Sequence, residues 1–411
     1  MKSDKKEYVS GPYNLVRMEG SINGINKIFY FFMDMHLTEN IQMQCKNIRS
    51  KPIKQYLVET FDKINNLDKQ YDFFLETFPD CYIVKNNRLG NYLNQLRKFF
   101  SEAFKFDFKK NKIKQNSEFS NVRFHYIDIR SYLTFQSCNP FSILYQVLDF
   151  VHSLEGKLLL PFDITDIHDI VMIATARLDF LYQTLYNPNN VKKVNVVQEN
   201  YQNLSEYSDE DFKNVIKFLI DKIKNSYIHE NIKNKINNYI EKDLKKYFEE
   251  YFELAKQFLD YLNKSYDKLN IPQNKLIKYK NFTDYFSQLH GTISREIKEH
   301  ILETLTKLID LSFINIYTII MDLYFLRRAL DKDYITNSII YTGGAHSINY
   351  IYSLLKYFNF KITHVHYAKY SIPELTEKIL KEKSPDKITN FFLPQYMEQC
   401  IEISQFPSLF Q

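Results

Sequence analysis

Lys27–His36 reads KIFYFFMDMH. Six consecutive apolar or aromatic residues, Ile28 to Met33, run into Asp34-Met35-His36. A short run rich in Phe, Tyr and Ile predicts a strand. Its lack of polar alternation predicts burial on both faces, as at the centre of a parallel sheet. Ligands of open α/β sheets bind outside the carboxyl ends of such strands. Asp34 and His36 stand where this strand ends, and their spacing puts both side chains on one side of an extended chain.

Upstream, YNLVRMEG and KIFYFFMD flank SINGIN, whose Asn23-Gly24 predicts a tight hairpin over 13–33. Downstream, Ile53, Leu57, Phe61 and Ile64 predict a helix over 50–66. YDFFLE, Tyr71–Glu76, is a second apolar strand, ending in a carboxylate. Leu89, Tyr92, Leu93, Leu96 and Phe100 form the stripe of a helix over 88–105, followed by the lysine-rich polar connection FKFDFKKNKIKQNSE. NVRFHYIDIR, Asn121–Arg130, is a third strand ending in charged groups. Strand, helix, strand, helix, strand is the pattern of βαβ units.

From about 139 to 331 the pattern is almost entirely helical. One helix over 166–187 is broken by Asn187-Pro188-Asn189-Asn190, and a polar segment runs on to about 208. A long amphipathic stretch covers 209–268, and 284–331 carries Leu302, Leu305, Leu308 and Ile309 at helical spacing. The α/β pattern returns in NSIIYTGGAHSINYIYSLLKYFNFKITHVHY: strand, Gly-Gly turn, helix, strand. The expected class is therefore α/β. A mostly parallel central sheet (27–33, 71–75, 122–127 and 337–342) is flanked by helices and carries a large helical insertion. The expected division is 1–189, the first part of the core with its hairpin; 190–300, the insertion; 301–370, the second part of the core; and 371–411, a tail with one short helix and then irregular chain.

The 411 residues are 45% hydrophobic and 25% charged, an ordinary globular balance long enough for two domains or one domain with an insertion. The 34 Phe and 32 Tyr without any Trp reflect the coding bias of an AT-rich genome, whereas only 8 Gly makes each glycine informative. Net charge is +5, with lysines interleaved among acids as on solvated helix faces, so nucleic-acid binding is not indicated. Cys45, Cys81, Cys138 and Cys400 form no CxxC pair, which excludes a zinc knuckle and fits a reducing compartment. The first residues contain no apolar signal region, and charged residues break the apolar runs short of the ~20 residues a membrane span needs. A soluble intracellular protein with no membrane span is expected.

Four strands end in polar groups: Asp34 and His36; Glu76; His125, Asp128 and Arg130; and Gly343, Gly344 and His346. The paired glycines permit either positive φ or a close backbone approach, and a helix starting just after them points N–H dipoles at the same edge. Each group also has a plainer reading. Asp34, Glu76 and His346 can be helix caps, His125 a hydrogen-bonded core histidine, and Asp128 and Arg130 an ion pair. His364 and His366, alternating on the last strand, are either a metal pair or one strand face. Asp322, with Arg327 and Arg328, lies on the helix leading into the late strand and either reaches the site or joins a surface network.

The D-x-H after the first strand, the strand ending in Glu76, the strand ending D-x-R and the late G-x-x-H, Gly343 to His346, resemble a broad hydrolase-like superfamily. It contains the TIKI and TraB proteins, the erythromycin esterases and the haem-binding ChaN lipoproteins. The resemblance covers 25–135 and 315–368. Asp34-Met35-His36 stands in place of the first motif without its glycine. RFHYIDIR and the AT-rich composition also resemble uncharacterised proteins of giant DNA viruses of the mimivirus type, for which host cytoplasm or virion is the expected location.

The resemblance implies a hydrolase with His36, Glu76, Asp128, Arg130 and His346 as its working residues. Asp34, His36, Glu76 and His346 offer mixed N/O ligands for a divalent metal that would activate water. Without metal, His36 or His346 is the general base, Glu76 or Asp128 orients it, and Arg130 holds an anionic group. The alternative is a non-catalytic binding or virion-associated protein on an enzyme-like fold. No GxGxxG, GxxxxGK[ST], HExxH or GxSxG occurs, which disfavours NAD enzymes, P-loop NTPases, zincins and α/β-hydrolases.

Overall fold

The structure is a computed structural model. It describes residues 6–37, 45, 47, 49–65, 67, 69–77, 91–107, 112–114, 116, 118–129, 148–153, 159–188, 209–270, 291–396 and 398–407. The strands are β1 Tyr8–Ser10, β2 Asn14–Ile22, β3 Ile25–Asp34, β4 Lys51–Pro52, β5 Tyr71–Leu75, β6 Phe106–Asp107, β7 Lys112–Ile113, β8 Val122–Tyr126, β9 Asn337–Gly343, β10 Lys361–Val365 and β11 Cys400–Glu402. The helices are α1 Ile53–Ile64, α2 Tyr92–Ala103, α3 Pro161–Tyr186, α4 Asp209–Lys224, α5 Glu230–Tyr239, α6 Lys245–Leu269, α7 Gly291–Ile309, α8 Thr318–Asp331, α9 Gly344–Phe358, α10 Ile372–Lys381 and α11 Thr389–Phe392. Two compact units result: 1–131 with 227–236 and 321–411, and 132–226 with 237–320.

The first unit is built on a six-stranded sheet in the order β10-β2-β3-β9-β5-β8. Pairs β3–β9, β9–β5 and β5–β8 are parallel, while β2–β3 and β10–β2 are antiparallel. The sheet is therefore mixed. The four apolar runs all lie in it, but the hairpin partner β2 and the edge strand β10 add an antiparallel side. The hairpin has the two-residue Asn23-Gly24 loop, with φ +52° and +82°. A type I′ turn needs positive φ at both positions, which Asn and Gly tolerate.

The run Phe29–Met33 is buried because helices cover both sheet faces. Tyr30 and Phe32 join a core with Tyr56, Leu57 and Phe61 of α1 and Leu93, Leu96 and Phe100 of α2. Phe29 stacks on Phe360 at 5.3 Å, and Phe31 meets Tyr350 of α9 at 5.9 Å on the other face. Tyr350 in turn packs on Phe325 of α8 at 4.2 Å. Alternate residues thus feed two separate cores, and no position in the run is left for a polar side chain.

The C-terminal segment is ordered further than expected. After α10 the chain forms β11, which pairs antiparallel with β1, while β1 pairs parallel with β4. This small sheet sets Cys400 opposite Ser10. It brings the segment before β4 alongside, and Cys45 and Cys400 form a disulfide with Cα atoms 4.9 Å apart. The scattered cysteines read as fitting a reducing compartment, yet these two are bonded, because sequence separation conceals what strand pairing brings together.

The second unit is helical. Within it, α3 meets α6 through ring contacts such as Tyr182 with Phe248 at 5.5 Å. It begins well before 190 and extends past 300, and 227–236 belongs to the first unit. The polar stretch 189–208 lies outside the described residues. Among the described residues one helical run, Ile293–Asp331, is long and apolar enough by length and composition to cross a membrane, and 65% of its most apolar window is buried.

Candidate functional site

Strands β3, β9 and β5 end side by side and deliver the polar groups of the first unit. Register sets Asp34 opposite Gly343 and Leu75 opposite Tyr341. Glu76, one residue past β5, donates its N–H to the Tyr341 carbonyl at 3.1 Å. Its Oε2 accepts the Gly343 N–H at 2.7 Å.

The chain reverses tightly after Asp34. His36 takes φ +56°, a left-handed conformation that costs an L-residue about 1–2 kcal/mol. Asp34 Oδ2 offsets this cost by accepting the His36 backbone N–H at 2.9 Å and its Nδ1–H at 2.8 Å. Asp34 Oδ1 accepts the Tyr341 hydroxyl at 2.9 Å, and Gln399 Nε2 donates to it at 3.5 Å. His36 Nε2 then lies 3.4 Å from Glu76 Oε2. A Cβ on Gly343 would sit only 2.6 Å from His36 Nε2, and one on Gly344 would collide with the Tyr13 hydroxyl. Gly343 has an ordinary φ of −54°, so glycine is needed there for close approach and not for its backbone freedom.

His346, in the first turn of α9, faces the same carboxylate from the other side. Its Nε2 is 4.0 Å from Glu76 Oε1, and its Nδ1 is 2.7 Å from Asp322 Oδ1 of α8. Asn349 Nδ2 donates to Asp322 Oδ2 at 2.6 Å and holds that carboxyl in place. Arg97 of α2 completes the ring around Glu76. Its Nε donates to the Glu76 carbonyl at 2.5 Å, Nη2 lies 3.5 Å from Oε1, and Nη1 donates to Asn94 Oδ1 at 3.3 Å. Glu76 thus lies between two imidazoles, each held at Nδ1 by a buried aspartate.

Burial pushes His36 down, but its hydrogen bonds to Asp34 and Glu76 and their charges outweigh burial and raise it to about 9. His36 is therefore an imidazolium at neutral pH, with both nitrogens donating. Burial pushes the Asp322 carboxyl up, against the pull of His346 and Asn349. Burial holds the Tyr350 hydroxyl protonated, reinforced by Asp322, Glu76 and Asp128, so all three carboxyl groups act on one neighbourhood.

The structure thus gathers His36, Glu76 and His346, with Asp34 behind His36. Asp128 is buried close by, its N–H donating to the Thr77 carbonyl at 3.1 Å. Arg130 lies outside the described residues. His125 belongs elsewhere: its Nε2 is 2.7 Å from Asp72 Oδ1, at the opposite end of β5, and that carboxylate also takes Arg123 at 2.8 and 2.7 Å. His364 and His366 bind different partners, Thr363 Oγ1 and the Glu402 N–H. Sequence reasoning noted Asp322 but missed Arg97, Tyr341 and Gln399. Arg97 stands next to Leu96 at the margin of an apolar stripe, and Tyr341 inside an apolar run, so neither carries a local signal.

Three of the four oxygens of Asp34 and Glu76 already accept hydrogen bonds: both of Asp34, and Glu76 Oε2, which holds the Gly343 N–H. Among the described residues no group of three or more His, Cys, Asp or Glu side chains is arranged to hold a metal ion.

Full-length relatives come from the giant virus Acanthamoeba polyphaga mimivirus. The chain is 33% identical to its uncharacterized protein R706, covering 98% of this chain and 97% of that one. It is 31% identical to uncharacterized protein R161, over 98% of both, and 31% identical to R160, over 98% and 97%. No solved structure matches the chain. Residues 7–411 match the family described as "Family of unknown function (DUF5847)", and the chain belongs to that family.

Proposed function

We propose that this protein is a hydrolase working by general acid–base catalysis at the carboxyl ends of the parallel strands β3, β9 and β5. The observation that carries the reading is the arrangement of His36 and His346 about Glu76, each imidazole fixed at Nδ1 by a buried aspartate. A second carboxylate or carbonyl partner on an imidazole sets its tautomer and direction. The resemblance to the TIKI, TraB and erythromycin esterase superfamily points the same way.

The two histidines take opposite parts. His346, donating Nδ1–H to Asp322, presents a lone pair at Nε2 and takes a proton from water. The water oxygen bonds to the electrophilic carbon or phosphorus, and the bond to the leaving oxygen breaks. That oxygen takes the Nε2 proton of His36, whose imidazolium form suits it to act as the acid. Asp34, held by Tyr341, steadies the positive charge on His36 before transfer.

The test is a screen of carboxylic esters, phosphoesters and peptides with the wild type, His36→Asn and His346→Ala, each with and without chelator. Asn is chosen at 36 because it tolerates the left-handed backbone. Either substitution should lower kcat/KM about 100-fold or more while circular dichroism is unchanged, and the chelator should have no effect. No turnover by the wild type, or full activity in both variants, refutes the reading and favours a binding protein. Loss of activity with chelator refutes the metal-free mechanism.

A further inference from the structure

The negative groups of the site lie behind its positive ones. The side chains of Asp34, Glu76 and Asp322 are at most 2% exposed, whereas those of His36 and Arg97 are 39% and 18% exposed. Among the residues described at this site, the ionisable groups most open to solvent are therefore an imidazole and a guanidinium, with the His346 side chain at 9%.

Both stand against the same carboxylate, His36 Nε2 by Oε2 at 3.4 Å and Arg97 Nη2 by Oε1 at 3.5 Å. A single ligand group can span them. Both contacts are longer than the ~2.7–2.9 Å of a close charge-assisted hydrogen bond, so Glu76 does not saturate either donor. Arg97 spends Nε–H on a backbone carbonyl and one hydrogen each from Nη1 and Nη2 on Asn94 and Glu76, and among the described residues nothing else takes the remaining N–H groups of its fork. The Glu76 charge is itself met by the Gly343 N–H and the N-terminal end of α9.

We propose, building on the hydrolase reading, that the substrate bears an anionic group, a phosphate or a carboxylate, seated between Arg97 and His36. The guanidinium fork matches the geometry of either oxyanion. The same pair of cations draws anionic substrates to the site.

Calorimetric titration of the full chain with inorganic phosphate, and separately with acetate, tests this without any turnover. The wild type should bind at least one of them at millimolar concentration. Arg97→Gln should weaken that binding at least tenfold, and Arg97→Lys, which keeps the charge and loses the fork, should weaken it less. Phosphate bound in preference to acetate assigns a phosphoester; the reverse assigns a carboxylate. Failure of both anions to bind the wild type, or equal binding by folded Arg97→Gln, overturns the inference. Anion binding without hydrolysis of any substrate supports this inference and sinks the hydrolase reading. Hydrolysis of neutral esters without anion binding does the opposite.

Discussion

Gly343→Ala separates the integrity of the site from that of the fold. The added Cβ would meet His36 Nε2 at 2.6 Å, Cε1 at 3.3 Å and Cδ2 at 3.4 Å. Ordinary contact is about 3.5 Å, so the imidazole must retreat by about 1 Å. That retreat lengthens the 3.4 Å approach to Glu76 Oε2 and pulls Nδ1 off its 2.8 Å bond to Asp34. A misplacement of about 1 Å costs a catalytic group on the order of 100-fold in rate. The backbone is not strained by the change, because φ is −54°. Above about pH 9, where the His36 ion pairs contribute nothing, stability should therefore stay within about 1 kcal/mol, the gain from a stiffer unfolded chain offsetting mild overpacking, whereas at neutral pH the lost pKa shift lowers it. The assay is a proton NMR titration of His36 alongside thermal unfolding and kcat/KM. The expected result is a pKa falling from about 9 towards 6.5, an activity loss near 100-fold and a melting temperature that is nearly unchanged above about pH 9 and lowered at neutral pH. A His36 that still titrates near 9 in a fully active Gly343→Ala protein would refute the close-approach argument.

Asp34→Asn removes the partner on Nδ1 and should lower the His36 pKa by about 1–3 units, read by the same titration. The raised pKa of His36 also makes stability depend on pH: its contribution is complete below about 6.5 and is lost as pH rises through about 9. Urea unfolding across that window should show the decline in the wild type, and Asp34→Asn should flatten it. Gly24→Ala, at φ +82°, should destabilise by about 1–2 kcal/mol without touching His36, since nothing lies near the added carbon. Cys400→Ser should cost about 2–5 kcal/mol in non-reducing denaturation and nothing under reductant, unless the Cys45–Cys400 bond does not form.

Much of the first unit was legible because its signals are local. KIFYFFMD reads as a doubly buried strand wherever it lies, and Asn23-Gly24 specifies its own turn. The ends of β3, β5 and β9 could be grouped from sequence because βαβ strands share a carboxyl edge. Direction at the sheet margin was not legible. KITHV is an acceptable strand in either sense, and its antiparallel pairing with β2 extends the antiparallel side that the β2–β3 hairpin already begins. The same holds for Cys400, whose partner is 355 residues away. At the site, His36, Glu76 and His346 were marked by standing at strand ends. Arg97 and Tyr341 act from inside amphipathic and apolar patterns that their neighbours fully explain. Gly343 was flagged for being rare, but its reason, the approach of an imidazole, needs coordinates.

The central claim is that His36 and His346 act as one unit on a single substrate through Glu76. A double-mutant cycle of His36→Asn and His346→Ala on kcat/KM tests it most directly. Residues that act together lose most of their effect with the first substitution, so the double variant should be little slower than the worse single one. Losses that multiply, each variant contributing its full factor independently, would show that the two histidines do not share a reaction and would contradict the account.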